Sequence, residues 1–187
     1  MQKFLIVILL FWSFSNSSFI SANVQDSRIQ FRSFVYNPGG VIGGNIRFGI
    51  FNEPENTLDF YTSIAISRFG YSHTINGHTY VTDFWCVDLI PLNASVTYRK
   101  FEFEVRYLFS YAIIRNRIPE HYNVIFHGNG LTPHFFGYGY TLGYRLKNEI
   151  TIGINATYHV SEWENQDGTY PWGLIGGIGL EIKKSFN

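Results

Sequence analysis

The carboxy-terminal stretch Trp172 to Asn187 reads WGLIGGIGLEIKKSFN. Trp172, Leu174, Ile178, Leu180, Ile182 and Phe186 share one parity; Gly173, Gly177, Gly179, Glu181 and Lys183 share the other. Successive side chains of a strand point to opposite faces. As a strand, this stretch is apolar on one side for its whole length and small or polar on the other. That suits a wall with hydrocarbon outside and a polar lumen inside better than a sheet in water.

The same period of two recurs upstream, broken by turn signals. A first strand is expected over about Arg28 to Tyr36, ending at Asn37-Pro38-Gly39-Gly40. A second covers about Val41 to Phe51 and a third about Leu58 to Phe69, with Leu58, Phe60, Ile64 and Ile66 opposite Asp59, Ser63 and Ser67. Asn76-Gly77 lies in a longer connection that reads as a hairpin arm. A fourth strand covers about Val87 to Arg99, and Pro91 predicts a bulge or a late start there. A fifth follows from Phe101 to about Ile113, a sixth over His134 to Leu146, a seventh over Ile150 to Val160 and an eighth from Trp172. The short connections are Asn52 to Thr57, Lys100, and Lys147 to Glu149; the long ones are Gly70 to about Cys86, Ile114 to Pro133 and Ser161 to Pro171.

Two hairpins predict their own register. With Lys100 and Phe101 as loop, Arg99 faces Glu102, Thr97 faces Glu104 and Val96 meets Val105. With a Lys147–Glu149 loop, Tyr144 meets Ile152, Leu142 meets Ile154, Tyr138 meets Tyr158 and Thr141 meets Asn155. A slip of one residue would turn every side chain to the wrong face.

The amino end has the layout of an export signal. Lys3 precedes the apolar run Phe4 to Trp12, and Ser13 to Ser21 is small and polar, with Ala22 a suitable cleavage position. Residues 1–22 are therefore expected to be a signal peptide and 23–187 a single domain. The apolar run is far short of the roughly 18 to 20 residues a spanning helix needs.

Composition narrows the class. Charged residues make up 15% and aromatics 19%, with eighteen glycines. Without Lys3, thirteen basic residues face fourteen acidic ones, so nothing points to nucleic acid. Cys86 is the single cysteine, which excludes an internal disulfide and a thiolate-clustered metal site. His73, His78, His121 and His127 lack ligand spacing, so no metal and no cofactor is expected. Asn93-Ala94-Ser95 and Asn155-Ala156-Thr157 match a glycosylation sequon but lie inside expected strands.

With its alternation, its Tyr and Phe near strand ends and its terminal Ile182-Lys183-Lys184-Ser185-Phe186, the chain resembles the small eight-stranded outer-membrane β-barrels of Gram-negative bacteria. Asn187 follows Phe186, whereas such barrels usually end on the aromatic. Asp88-Leu89-Ile90-Pro91-Leu92 is similar to a strand opening of Bacteroidetes barrels. The resemblance implies an all-β, eight-stranded antiparallel up-and-down transmembrane β-barrel in the outer membrane. It further implies contact with outer-membrane lipid and lipopolysaccharide, insertion by the barrel assembly machinery, and a monomer.

An eight-stranded barrel has a lumen that side chains can fill. The inward set is expected to include Arg47, Asp59, Arg99, Glu102, Glu104, Arg106, Asn155 and Glu181, a packed network of both signs. Glu102 and Glu104 stand about 6 to 7 Å apart on one face, a spacing glycosidases use, but opposite charges flank them. The function expected is a non-enzymatic surface barrel acting through its external loops, in surface interaction or envelope integrity, or else as a narrow pore. Two alternatives stand beside it. His159-Val160-Ser161 resembles the His-x-Ser of barrel lipid A deacylases, with His159 as base and Ser161 as nucleophile, although Glu162 stands where that family has Asn. A soluble, secreted lipocalin-like barrel would turn the apolar face inward.

Overall fold

The computed structural model describes residues 17–30, 39–51, 58–75, 77–116, 134–147, 149–162 and 172–186. They form eight antiparallel strands: β1 Ser17–Gln30, β2 Val41–Phe51, β3 Leu58–Ile75, β4 His78–Tyr98, β5 Phe101–Asn116, β6 His134–Arg145, β7 Ile150–Glu162 and β8 Trp172–Phe186. Each pairs with its chain neighbours, and β1 closes on β8 to complete a barrel. Closure removes the sheet edges along the wall of the barrel itself.

The start of β1 and the end of β8 lie at one end of the barrel, because Ser18 pairs with Phe186. The connections at that end are short: 52–57, Arg99-Lys100 and 146–149. We call it the turn end and the opposite one the loop end. At the loop end, β3 and β4 continue as a hairpin to the pair Ile75 and His78. Gly77 there takes φ 79, a left-handed value that suits glycine in the short connection between Ile75 and His78. The β3–β4 arm thus occupies much of the stretch expected to be a long connection. The other long connections, 117–133 and 163–171, lie outside the described residues.

Three features differ from the sequence reading or sharpen it. First, β1 runs over Ser17–Gln30, not Arg28 to Tyr36. Its outward Ile20, Ala22 and Val24 alternate with buried Ser21, Asn23, Gln25 and Ser27. This alternation is short-chained and polar, so it passes for the tail of an export signal. The expected boundary after Ala22 therefore falls inside a strand. Second, the β4–β5 turn is Arg99-Lys100, with Tyr98 opposite Phe101, Thr97 opposite Glu102 and Val96 opposite Phe103. The expected register was off by two, a slip that preserves which face each residue takes. Arg99 adopts φ 56 in the turn. Third, β4 bulges where Pro91 sits: Leu89 opposes Phe109 while Leu92 opposes Tyr107. The bulge resets parity, so Ile90 and Asn93 both point inward. The β6–β7 hairpin keeps the expected register, Tyr144 opposite Ile152 and Tyr138 opposite Tyr158.

Candidate functional site

The lumen is filled, and its two halves differ. Toward the turn end it holds ions. Arg47 on β2 donates from Nη1 to Glu104 Oε1 on β5 at 2.6 Å and from Nη2 to Glu181 Oε1 on β8 at 2.8 Å. It also donates to Asn93 Oδ1 at 2.9 Å and to Ser21 Oγ at 3.2 Å. Arg106 donates from Nη1 to the same two carboxylates, at 2.9 Å and 3.2 Å. Thr141 and Asn155 each donate to Glu181 Oε2 at 2.8 Å. Tyr61 donates to Glu104, and Lys183 pairs with Glu102 and, at 3.5 Å, with Glu104. Arg145, at the mouth, completes Glu102 at 3.5 Å.

Within this network the three cations Arg47, Arg106 and Lys183 match the three carboxylates Glu102, Glu104 and Glu181. Burying an ion unpaired costs several kcal/mol, so a compensated set with its lone pairs occupied is the form in which such a lumen is tolerated. Phe19 forms the floor. It packs edge-on against Tyr61 at 5.4 Å, with the Arg47 guanidinium 4.9 Å over its ring.

Toward the loop end apolar side chains dominate the lumen, beside buried Ser67, Asp88 and Ser110. Ala65, Ile90 and Leu108 form a middle layer. Above it Phe69, Tyr71, Phe84, Cys86, Ala112, Phe135 and Ile175 make one buried cluster. His159 belongs to this upper layer. Its ring stacks on Phe69 at 3.7 Å and 12°, with Phe135 edge-on.

Inward glycines make room for this filling. A Cβ at Gly139 would stand 2.8 Å from Nε and 2.9 Å from Nη2 of Arg106. A Cβ at Gly49 would collide with the Phe19 ring. Small residues on the polar parity are therefore the complement of large ones across the lumen.

The outer wall is the reverse. Ile46, Ile64, Leu89, Leu142, Ile154 and Ile182 are all exposed, and Leu180 reaches 69% and Ile42 73%. A soluble monomer seldom shows a contiguous apolar patch above a few hundred Å², and here the belt involves all eight strands. Exposed rings mark both rims: Tyr98, Phe101, Tyr144 and Phe186 at the turn end, Trp85, Tyr111 and Phe136 at the loop end. Between them, Leu174 to Phe186 is twelve steps of ~3.3 Å, roughly 30 Å of height at a tilt near 40°. That height, apolar girth and double aromatic girdle match a bilayer. The chain is an eight-stranded transmembrane β-barrel.

No protein-family model matches the barrel, and no curated protein matches its sequence. Among solved structures it is similar to the Yersinia pestis outer membrane protein Ail in a phospholipid bilayer nanodisc, with 14% identity and TM-score 0.47 over 91% of this chain and 99% of that one. It is similar to Neisserial surface protein A, with 11% identity and TM-score 0.46 over 92% and 100% of the two chains. It is also similar to OprG from Pseudomonas aeruginosa, with 10% identity and TM-score 0.44 over 90% and 96%.

Of the residues expected in the lumen, the barrel buries Arg47, Asp59, Glu102, Glu104, Arg106, Asn155 and Glu181. Arg99 is a correction: it is exposed in the β4–β5 turn, its guanidinium 5.4 Å from the Tyr98 ring, because the register slip removes it from β4. Lys183 was missed although it shares the parity of Glu181. Asn93 was missed as a central ligand, since the bulge at Pro91 hides its alignment with Arg47. Tyr61 and Asp88 are buried as well. Their parity gave the only signal, and an aromatic on the polar side argues against itself.

The two alternatives meet opposing geometry. The lipocalin-like barrel needs the apolar face inside, and that face is outside. The deacylase reading needs His159 near the lipid, but His159 is buried among lumen rings, 1% exposed. The backbone of Ser161 pairs with Gly173. Glu102 and Glu104 are committed to Lys183, Arg145, Arg47 and Arg106 rather than arranged as a free carboxylate pair. Both sequon asparagines, Asn93 and Asn155, are buried in the lumen.

Proposed function

We propose that this chain is an outer-membrane protein of a Gram-negative bacterium that acts by what its loop end presents, in surface interaction or envelope integrity. It is not a pore. The observation that carries this is the Arg47 side chain, which crosses from β2 to carboxylates on β5 and β8 within the lumen. A charge-balanced network bridging opposite walls leaves conduction no path without breaking buried ion pairs. The apolar cluster from Phe69 to Ile175 caps it from the loop end. A lumen occupied in this way leaves the external connections as the part free to meet partners, and the β3–β4 arm already reaches beyond the neighbouring strands.

On this reading the barrel is a monomer solvated by lipid, with lipopolysaccharide against the loop end. The assembly machinery inserts it, reading the near-terminal Phe186. The export signal is removed upstream of Ser18, not after Ala22. Cleavage after Ala22 would discard Phe19, the lumen floor, and Ser21, a partner of Arg47. The intact mass of the mature chain tests that point directly.

Purified protein in planar bilayers tests the central claim. The expected result is no stepwise conductance, together with heat-modifiable gel migration and surface proteolysis between residues 114 and 133 on intact cells. Discrete, ion-selective openings from the folded band would overturn the sealed-barrel reading.

A further inference from the structure

The turn end carries a band of cations seated on rings. Arg99 lies 5.4 Å over Tyr98, Lys100 5.8 Å over Tyr144 and Lys184 5.8 Å over Phe186. Lys147 is exposed in the next turn. The turns adjoin one another: the Arg145 amide donates to the Lys100 carbonyl at 2.7 Å, and the Ser185 amide to the Glu149 carbonyl at 3.0 Å. The cations therefore line one continuous sector of the rim, from the β4–β5 turn to the end of β8. Among the described residues at this end the acids are Asp59, Glu102 and Glu149. Asp59 and Glu102 are buried, and only Glu149 reaches the rim.

The rings beneath these cations are the lower aromatic girdle, which sets them at the acyl–headgroup boundary. A cation just beyond that boundary stands at the level of the lipid phosphates. We infer that this sector is a binding surface for anionic phospholipid of the leaflet the turns face, with the phosphate held by Arg99, Lys100 and Lys147 and the acyl chains against Tyr98, Phe101 and Tyr144. The inference rests on the membrane reading above and adds a headgroup charge to it. At the loop end two arginines are matched by acids instead: Arg28 is bound to Asp26 and Arg68 to the buried Asp83. Among the described residues, this difference in charge between the two rims is what makes the lower one selective.

The full barrel is folded into nanodiscs containing equal phosphatidylcholine and phosphatidylglycerol, and the lipids it retains on extraction are identified by native mass spectrometry. Each surface cation is worth roughly a fivefold gain in anionic-lipid occupancy. Wild-type protein retains phosphatidylglycerol over phosphatidylcholine by at least that factor, and high salt reduces the preference. The triple variant Arg99→Gln, Lys100→Gln, Lys147→Gln retains both lipids about equally, while Arg28→Gln on the opposite rim matches wild type. Free inorganic phosphate does not displace the retained lipid. Equal retention by wild type, or an undiminished preference in the triple variant, overturns the inference. Heat-modifiable migration is scored first on every sample. Failure of the wild type to give a folded band counts against the barrel itself; a folded band without lipid preference counts against the lipid site alone.

Discussion

Deleting the charge of Arg47 gives the sharpest test of how the lumen holds together. In Arg47→Met the side chain keeps its bulk, but Glu104 and Glu181 each lose an arginine at 2.6 and 2.8 Å. The network falls from three cations and three anions to two and three. Removing one partner of a buried pair costs about 3–5 kcal/mol. Arg106 still reaches both carboxylates and Lys183 still reaches Glu104, which favours the lower half of that range. The lost cation–π contact with Phe19 adds about 1 kcal/mol. A loss near 4 kcal/mol is expected, close to a thousandfold in the folding equilibrium. Glu104→Gln costs a similar amount by the same reasoning, because it leaves two arginines around a neutral amide. The double variant restores two cations and two anions. It should cost about 4 kcal/mol and not 8, a coupling near 4 kcal/mol in the double-mutant cycle. Urea unfolding from lipid vesicles, followed by tryptophan fluorescence and by the heat-modifiable band, measures all four corners. If the two single losses add to within about 0.5 kcal/mol, the pair is not acting as a charge-compensated unit and the account of the lumen fails.

Three further outcomes follow from other parts of the wall and its filling. Gly139→Val pushes a methyl-bearing carbon into the Arg106 guanidinium and should cost about 1–3 kcal/mol by overpacking; an unchanged urea midpoint would show that Arg106 does not lie across Gly139. Leu180→Arg puts a charge mid-height on the lipid face and should cost about 2–4 kcal/mol in bilayers, whereas a water-exposed wall would accept it without loss. His159→Phe replaces one flat ring by another in an apolar cluster and should change stability by less than about 1.5 kcal/mol. Lipopolysaccharide deacylation measured on wild type and His159→Phe should be absent from both; activity present in the first and lost in the second would restore a catalytic His159.

Glu104 and Arg47 are fifty-seven positions apart, and Glu181 is one hundred and thirty-four from Arg47. Nothing local brings them together, and alternation says only that each takes the polar parity of its own strand. The same limit explains the β4–β5 turn. A slip of two residues keeps every side chain on its face, so Arg99 fits the lumen by parity and is removed from it only by turn geometry. The segment Ser17–Gln30 shows a different limit: a strand written in Ser, Asn and Gln has too little apolar contrast to stand out beside an apolar leader. Phe69, Phe84, Phe135 and Ile175 show a third, since apolar residues occur on both parities near the loop end and their inward placement depends on which face the barrel encloses.

Period-two alternation is a property of each strand alone, so the sequence by itself determined that strands lie at β2 to β8, the β6–β7 register and the two unlike faces. The extension of β3 to Ile75 and of β4 back to His78, and the choice of a bulge over a late start at Pro91, came from the pairing of whole strands. Which face turns inward depends on the curvature of the closed sheet, and which ions meet across the lumen depends on the stagger of all eight strands at once. Those are properties of closure, and no single segment contains them. Only the tertiary structure therefore decided that hydrocarbon faces Leu180 and Ile42, that Lys183 joins the network while Arg99 leaves it, and that Arg47 spans the lumen.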